Sequence, residues 1–430
     1  MEIRSSRQPG FAALTPAERR ARAAAFAGLD VSALAALSGE AALPIELADR
    51  LVENAVGRMS LPLGLATNFR VDGRDLLVPM ATEESSVIAA ASNGARLCRE
   101  SGGVLTSSSG PLMIAQIQLV GLPDPGHARL VVLERRDAIA ALCAEVDPVL
   151  LRLGGGFREV EARQLATAAG PMVIVHLVVD TRDAMGANAV NAMAEAVAPH
   201  LARWTGGKAS LRIVSNLADR RLVRARAVWP AEALAVEGAD PAAVRDAIVA
   251  AWQFAEADPY RAATHNKGVM NGVTAVVLAT GNDSRAVEAG AHAFAARSGQ
   301  YRPLARYEPT PEGGIAGSLE MPLAVGLVGG ATRLHPTAQA CLRLLGVAHA
   351  DELARIAAAV GLVQQFAALR ALTTTGIQHG HMKLHAQNVA MMAGASGDEI
   401  AVVARAMIAR GAIRQDVAAD ELRRLRGEGA

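Results

Sequence analysis

The chain has 430 residues, room for two or three domains with buried cores, which excludes a short disordered or disulfide-stapled module. Lysine and arginine number 43 against 42 acidic residues, so the net charge of +1 gives no electrostatic footprint for nucleic acid or an anionic membrane surface. Three widely spaced cysteines, Cys98, Cys143 and Cys341, fit neither a disulfide framework nor a thiolate metal site and point to a reducing, cytoplasmic setting.

Met1–Arg7 is followed by no apolar run, so no signal peptide is expected. The uncharged stretch Ser101–Pro123 is broken by Ser, Gly and Gln, and no transmembrane helix is expected. Aromatic residues make up only 3% of the chain, which points to cores of small side chains on close-packed helices and against base-stacking platforms.

In chain order, the Ala-rich Pro16–Ser38 region predicts helix, and Phe69–Pro79, with Asp72-Gly73 between extended runs, predicts a hairpin. Thr82 is placed as the cap of a buried helix over Glu83–Glu100. After Ser107-Ser108-Ser109-Gly110-Pro111 a new unit begins, with extended segments at Leu112–Leu119 and Leu130–Leu133. A helix over Arg136–Glu145, strands at Val149–Leu153 and Pro171–Val179, a helix over Ala187–Leu201 and a strand at Ser210–Ser215 follow. No G-x-G-x-x-G follows a strand there, and Gly154-Gly155-Gly156 alone reads as a tight turn, so a Rossmann fingerprint is missing. Further on come a helix over Pro241–Ala257, a polar loop Thr264-His265-Asn266-Lys267-Gly268, a strand at Val273–Ala279 and helices over Ser284–Arg297 and Leu353–Leu372. Thr373–Gly376 breaks the last of these before a final helical region.

Four islands place ionisable groups beside small residues. Glu83 and Glu84, in an expected first helical turn, also suit plain macrodipole stabilisation, and Asp283 after Thr280-Gly281-Asn282 also suits an N-cap. Lys267 reads equally as a solvated surface lysine. In Gln378-His379-Gly380-His381-Met382-Lys383-Leu384-His385, His381 and His385 have the spacing of a zinc pair, but without a zincin glutamate and with Lys383 between them no metal is expected.

These islands occur in order with Glu53-Asn54, Met59–Ala66, Pro79–Ser86, Asp183–Asn188, Ser215-Asn216-Leu217 and Gly326–Thr332. Over nearly its whole length the chain resembles 3-hydroxy-3-methylglutaryl-CoA (HMG-CoA) reductase, and looks like the soluble bacterial class II form. The resemblance implies an α+β fold: a large, mostly helical substrate domain (1–109 and 220–374), an inserted, smaller non-Rossmann α/β cofactor domain (110–219) and a mobile helical C-terminal flap (375–430).

The implied reaction interconverts HMG-CoA with mevalonate and coenzyme A by two successive hydride transfers, without metal. Lys267 would stabilise the oxyanion, Glu83 deliver a proton to the aldehyde oxygen, Asp283 tune both, and His381 protonate the departing thiolate. Ser85, Arg261 and Asn271 would hold the acyl group, and Asp183, Met185, Gly186, Asn188 and Asn216 the nicotinamide cofactor. Asp147 resembles the acidic residue that meets the adenosine ribose in NADH-using relatives, which implies NADH. A homodimer or higher oligomer with the active site at a subunit interface is implied as well. Two other readings stay open here: a metal-dependent hydrolase built on His381 and His385, and a non-catalytic CoA-ester-binding protein of the same fold.

Overall fold

The structure, a computed structural model, describes residues 5–39, 43–236, 238–374 and 377–427, without the side chains of 377–384. The expected hairpin is present: β1 (Leu63–Val71) and β2 (Arg74–Ala81) pair antiparallel with Val71 opposite Arg74. Asp72 and Gly73 both take positive φ, 48° and 81°, as a two-residue hairpin turn demands. With β3 (Val104–Ser108), β8 (Leu222–Trp229), β9 (Ala305–Pro309) and β10 (Ile315–Pro322) they form a six-stranded sheet in the order β2-β1-β3-β8-β10-β9.

Between β3 and β8 the chain builds a second sheet from β4 (Leu112–Val120), β5 (Gly156–Thr167), β6 (Gly170–Asp180) and β7 (Lys208–Val214), ordered β5-β6-β4-β7 with every pair antiparallel. Helices lie between β4 and β5 and between β6 and β7, so this is the split β-α-β-β-α-β arrangement, not a parallel dinucleotide sheet. Its core, which includes Met113, Ile117, Val175, Leu177, Met193 and Leu201, is separate from the core of the larger unit.

The larger unit is dominated by helices packed on the six-stranded sheet. Helix Ala350–Thr373 is, among the described residues, long and apolar enough to span a bilayer, but 67% of that stretch is buried in the protein. It is a core helix, stacked through Phe366 on Trp229 with ring centroids 3.7 Å apart. It crosses helix Pro259–Ala279 at small residues: a Cβ on Gly272 would lie 2.8 Å from the Val360 carbonyl oxygen, and one on Gly361 2.7 Å from Val273. Only glycine permits that approach. C-terminal helices Ile377–Met392, Glu399–Ala409 and Gln415–Arg426 enclose a small core of their own around Ala386, Val403, Met407 and Leu422.

Four expected elements differ. Thr264–Gly268 is not a loop and Val273–Ala279 not a strand; both lie in helix Pro259–Ala279. The polar residues that mimic a loop are tied to tertiary partners, with Asn266 donating to the Arg302 carbonyl at 2.9 Å and accepting from the Leu304 N–H at 2.8 Å. Packing overrides the β-branched bias of Val273–Val277. Val149–Leu153 is not a strand but helix Pro148–Arg152, and Leu130–Leu133 falls in helix Pro125–Glu134; each helix starts with an aspartate cap and a proline in its first turn.

Candidate active site

Helix Val87–Cys98 begins later than its expected Thr82 cap, because Ser86 adopts φ 71° at its N-cap. Residues 83–86 therefore form a turn, fixed by the Thr82 hydroxyl accepting from the Glu84 N–H at 3.1 Å. The turn separates two adjacent carboxylates: Glu83 is exposed, while half-buried Glu84 points at helix Pro259–Ala279 and pairs with Lys267 Nζ. Asn271, one helical turn beyond Lys267, approaches the other Glu84 oxygen at 3.4 Å. The resemblance implies proton delivery by Glu83, whereas the carboxylate that meets Lys267 in the structure is that of Glu84.

The pair stands on a divide between two clefts. One is lined by Ser85, Ser86, Arg261, Lys267, Asn271 and Gln365 and closed by apolar Val87, Ala367, Ala368 and Leu372. The other is lined by Glu83, Glu84, Lys267, Asn271, Thr274, Glu288 and His292. Lys267, Glu84 and Asn271 belong to both. With side chains 57% and 37% exposed, Lys267 and Glu84 form an ion pair of little worth to stability, so its position is not a requirement of the fold. Arg261 is half-buried, and that burial pulls its pKa down. His265, between Arg261 and Lys267, is fully buried with neither ring nitrogen partnered among the described residues; burial, then the Arg261 charge, pushes its pKa down to about 3.

Asp283 caps helix Ser284–Ala295 as its sequence context suggests, accepting from the N–H groups of Arg285 and Ala286 at 3.0 and 3.1 Å. Within one chain those contacts keep it on its own turn and do not join it to Lys267. His381 lies on helix Ile377–Met392, but its side chain is outside the described residues. The zinc-pair reading of His381 with His385 therefore has no geometry here; among the described residues no three His, Cys, Asp or Glu side chains gather around a metal position. The three cysteines are buried and free, and burial pushes their thiols up to about 12.

In the smaller unit, buried Gly186 sits at the N-cap of helix Ala187–Thr205 with φ 107°, and no side chain caps that helix start. A Cβ there would lie 2.5 Å from Thr181 Cγ2. Asn188 and Asn216 are exposed and Met185 is half-buried. The Asp183 carboxylate faces the larger unit, accepting from the Ala350 N–H at 2.8 Å and meeting His349 Nδ1 at 3.2 Å. Asp147 spends one oxygen capping helix Pro148–Arg152, with the Leu150 N–H at 2.8 Å, in place of the loop-before-strand setting expected for it.

Residues 15–386 match the family model for hydroxymethylglutaryl-coenzyme A reductase. The chain belongs to that family. It is 54% identical over 422 residues to the 3-hydroxy-3-methylglutaryl-coenzyme A reductase of Archaeoglobus fulgidus, covering 98% of this chain and 95% of the relative. A probable reductase of the same name from Borreliella burgdorferi is 35% identical over 344 residues, covering 79% of this chain and 77% of the relative. A reductase structure from Streptococcus pneumoniae superposes with a TM-score of 0.83 at 37% identity, covering 97% of this chain and 99% of that one. A class II reductase structure from the same organism, described as bound to NADPH in open conformations, matches with a TM-score of 0.82 at 37% identity, covering 85% and 99%. In this reductase family member, then, a charged pair between a helix and a turn, and a glycine-capped helix end, occupy separate units.

Proposed function

We propose that the protein interconverts HMG-CoA with mevalonate and coenzyme A, and that the two clefts meeting at Lys267 divide the labour. The observation that carries this reading is the Lys267–Glu84–Asn271 set on the divide. The cleft with Arg261 and Ser85 suits an acidic acyl chain, since a guanidinium fork matches a carboxylate and the apolar wall suits the methyl-bearing carbon. A reduced nicotinamide reaching the other cleft would supply the hydride to the carbonyl and leave oxidised. The oxyanion that develops is stabilised by the Lys267 ammonium and by the Asn271 amide.

Glu84, not its neighbour Glu83, returns a proton to the aldehyde oxygen in the second reduction, and Asp283 tunes the pair. His381 protonates the departing thiolate, so His381→Gln blocks thioester reduction while sparing reduction of added mevaldehyde. The C-terminal helices act as the flap that carries this histidine over the site. Nicotinamide cofactor is held by the turn Asp183–Gly186 with Asn188 and Asn216, its pyrophosphate on the free N–H groups that open helix Ala187–Thr205. One Asp147 oxygen remains for a ribose 2′-hydroxyl and repels a 2′-phosphate, which favours NADH; a higher kcat/KM with NADPH refutes that assignment.

The cofactor turn of one subunit serves the Lys267 cleft of another. The exposure of Val52, Val56 and Met59, at 61%, 102% and 89%, gives an apolar segment for such an assembly to cover. The enzyme acts in the cytoplasm. The overall reading is tested by following reduced nicotinamide and HMG-CoA together: two cofactors oxidised per thioester, with mevalonate as product, is the expected result. One cofactor per thioester, or hydrolysis without oxidation, refutes it.

A further inference from the structure

Arg221 is used by no step above, yet it is 4% exposed at the point where the chain returns from the smaller unit to β8. Among the described residues its guanidinium makes no direct bond to a carboxylate. Nη1 donates to the Thr181 hydroxyl at 3.3 Å and to the carbonyls of Ala184 and Met185, each at 3.1 Å; Nη2 donates to the Val325 carbonyl at 2.6 Å. Its own carbonyl accepts from the Leu323 N–H at 3.1 Å. Burying a guanidinium on neutral oxygens is costly, and the desolvation pulls its pKa down to about 10, still far above neutrality. A buried charge with no counter-ion in contact among the described residues is not the cheapest way to pack this joint.

What it achieves is convergence. The acceptors come from two segments, the turn before helix Ala187–Thr205 and the stretch after β10. These segments also meet directly: the Leu327 N–H donates to the Asp183 carbonyl at 2.8 Å, and a Cβ on Gly326 would lie 2.5 Å from the Met185 nitrogen. Gly326 in turn donates to the Asn282 side chain at 2.7 Å, the residue before Asp283. The guanidinium is thus the hub that fixes the Asp183–Gly186 turn against the larger unit.

We infer that Arg221 is a positioning residue for the nicotinamide cofactor: without touching it, Arg221 holds the Ala184 and Met185 carbonyls back so that the N–H groups after Gly186 face the pyrophosphate. This rests on the reading of Asp183–Asn188 as the cofactor segment. A planar fork is needed to reach several carbonyls at once, and a lysine ammonium cannot span them in the same geometry.

The test compares Arg221→Lys and Arg221→Met with the parent enzyme and with Gly186→Val, measuring reduced-cofactor Kd by nicotinamide fluorescence, both KM values and the melting temperature. Arg221→Met is expected to weaken cofactor binding about tenfold or more, the scale of losing charge-assisted hydrogen bonds, with KM for HMG-CoA within about twofold. Arg221→Lys should fall between it and the parent, and serves alone if the methionine variant does not fold. A lowered melting temperature with unchanged cofactor Kd, or equal rises in both KM values, overturns the inference. Should Gly186→Val weaken cofactor binding while neither Arg221 variant does, Arg221 alone is misassigned; should Gly186→Val bind cofactor normally, the cofactor segment itself is misassigned and the inference falls with it.

Discussion

The cleft around Lys267 and the turn at Gly186 solve different problems with different materials. On the proposed reading the chemistry at Lys267 is in side chains, and the backbone is a rigid helix locked by glycine contacts against helix Ala350–Thr373. At Gly186 the proposed cofactor contacts are in the backbone, and the side chains nearby, Thr181, Asp183 and Arg221, hold its path. A charge held by a rigid helix can be removed without disturbing the fold, whereas a backbone site is lost as soon as a Cβ is added.

The largest expected effect lies on the side-chain half. Lys267→Ala should cut turnover by about 10²–10³-fold, as loss of one oxyanion donor does elsewhere, and leave the circular dichroism spectrum and melting temperature near those of the parent, because the lysine is over half exposed. A drop in melting temperature matching the loss of activity would make it a structural residue. Next comes the relation between the halves. Co-expressed Lys267→Ala and Gly186→Val chains should recover activity that neither homo-oligomer has, since a hybrid restores one intact cleft facing one intact turn. Absence of recovery in proven hybrids would place both halves in one chain.

Gly186→Val alone should raise cofactor KM about tenfold or more through the 2.5 Å clash with Thr181 and the strained φ, with KM for HMG-CoA little changed. Equal changes in both would remove the distinction between the halves. The smallest effect is on stability. His265 is buried with its pKa at about 3 against an ordinary 6.5, so the unfolded chain binds a proton that the folded chain refuses. Its contribution to stability is full above pH 6.5 and is lost progressively from there down towards pH 3. Denaturant titrations should show that slope, and His265→Phe should flatten it; an unchanged slope would mean that the ring is hydrated.

Much of this was legible in the sequence. The Asp72-Gly73 hairpin, the Asp283 cap and the helix after Gly186 follow from turn and capping chemistry that acts within a few residues. The missing glycine fingerprint was a sound guide, for the small unit is an antiparallel sheet. What could not be read was any choice made by distant contacts. His265-Asn266-Lys267 is polar enough for a loop, and only the carbonyl of Arg302 and the N–H of Leu304, more than thirty residues away, make it a helix. Glu83 and Glu84 are chemically identical neighbours, and the left-handed Ser86 and the Thr82 hydroxyl decide which of them turns inward. Nothing local marks Arg221, beside the exposed Arg220, as buried.

That inward turn is the centre of the account, and it is most directly tested by the rate of mevaldehyde reduction in Glu84→Gln and Glu83→Gln enzymes, each shown to be folded and to bind cofactor. The half-reaction isolates the step in which a carboxyl group must return a proton, apart from thiolate departure. Glu84→Gln should lose about 10²-fold or more, the range of a general acid, while Glu83→Gln stays within a few-fold of the parent. Loss in Glu83→Gln with activity retained in Glu84→Gln would contradict it.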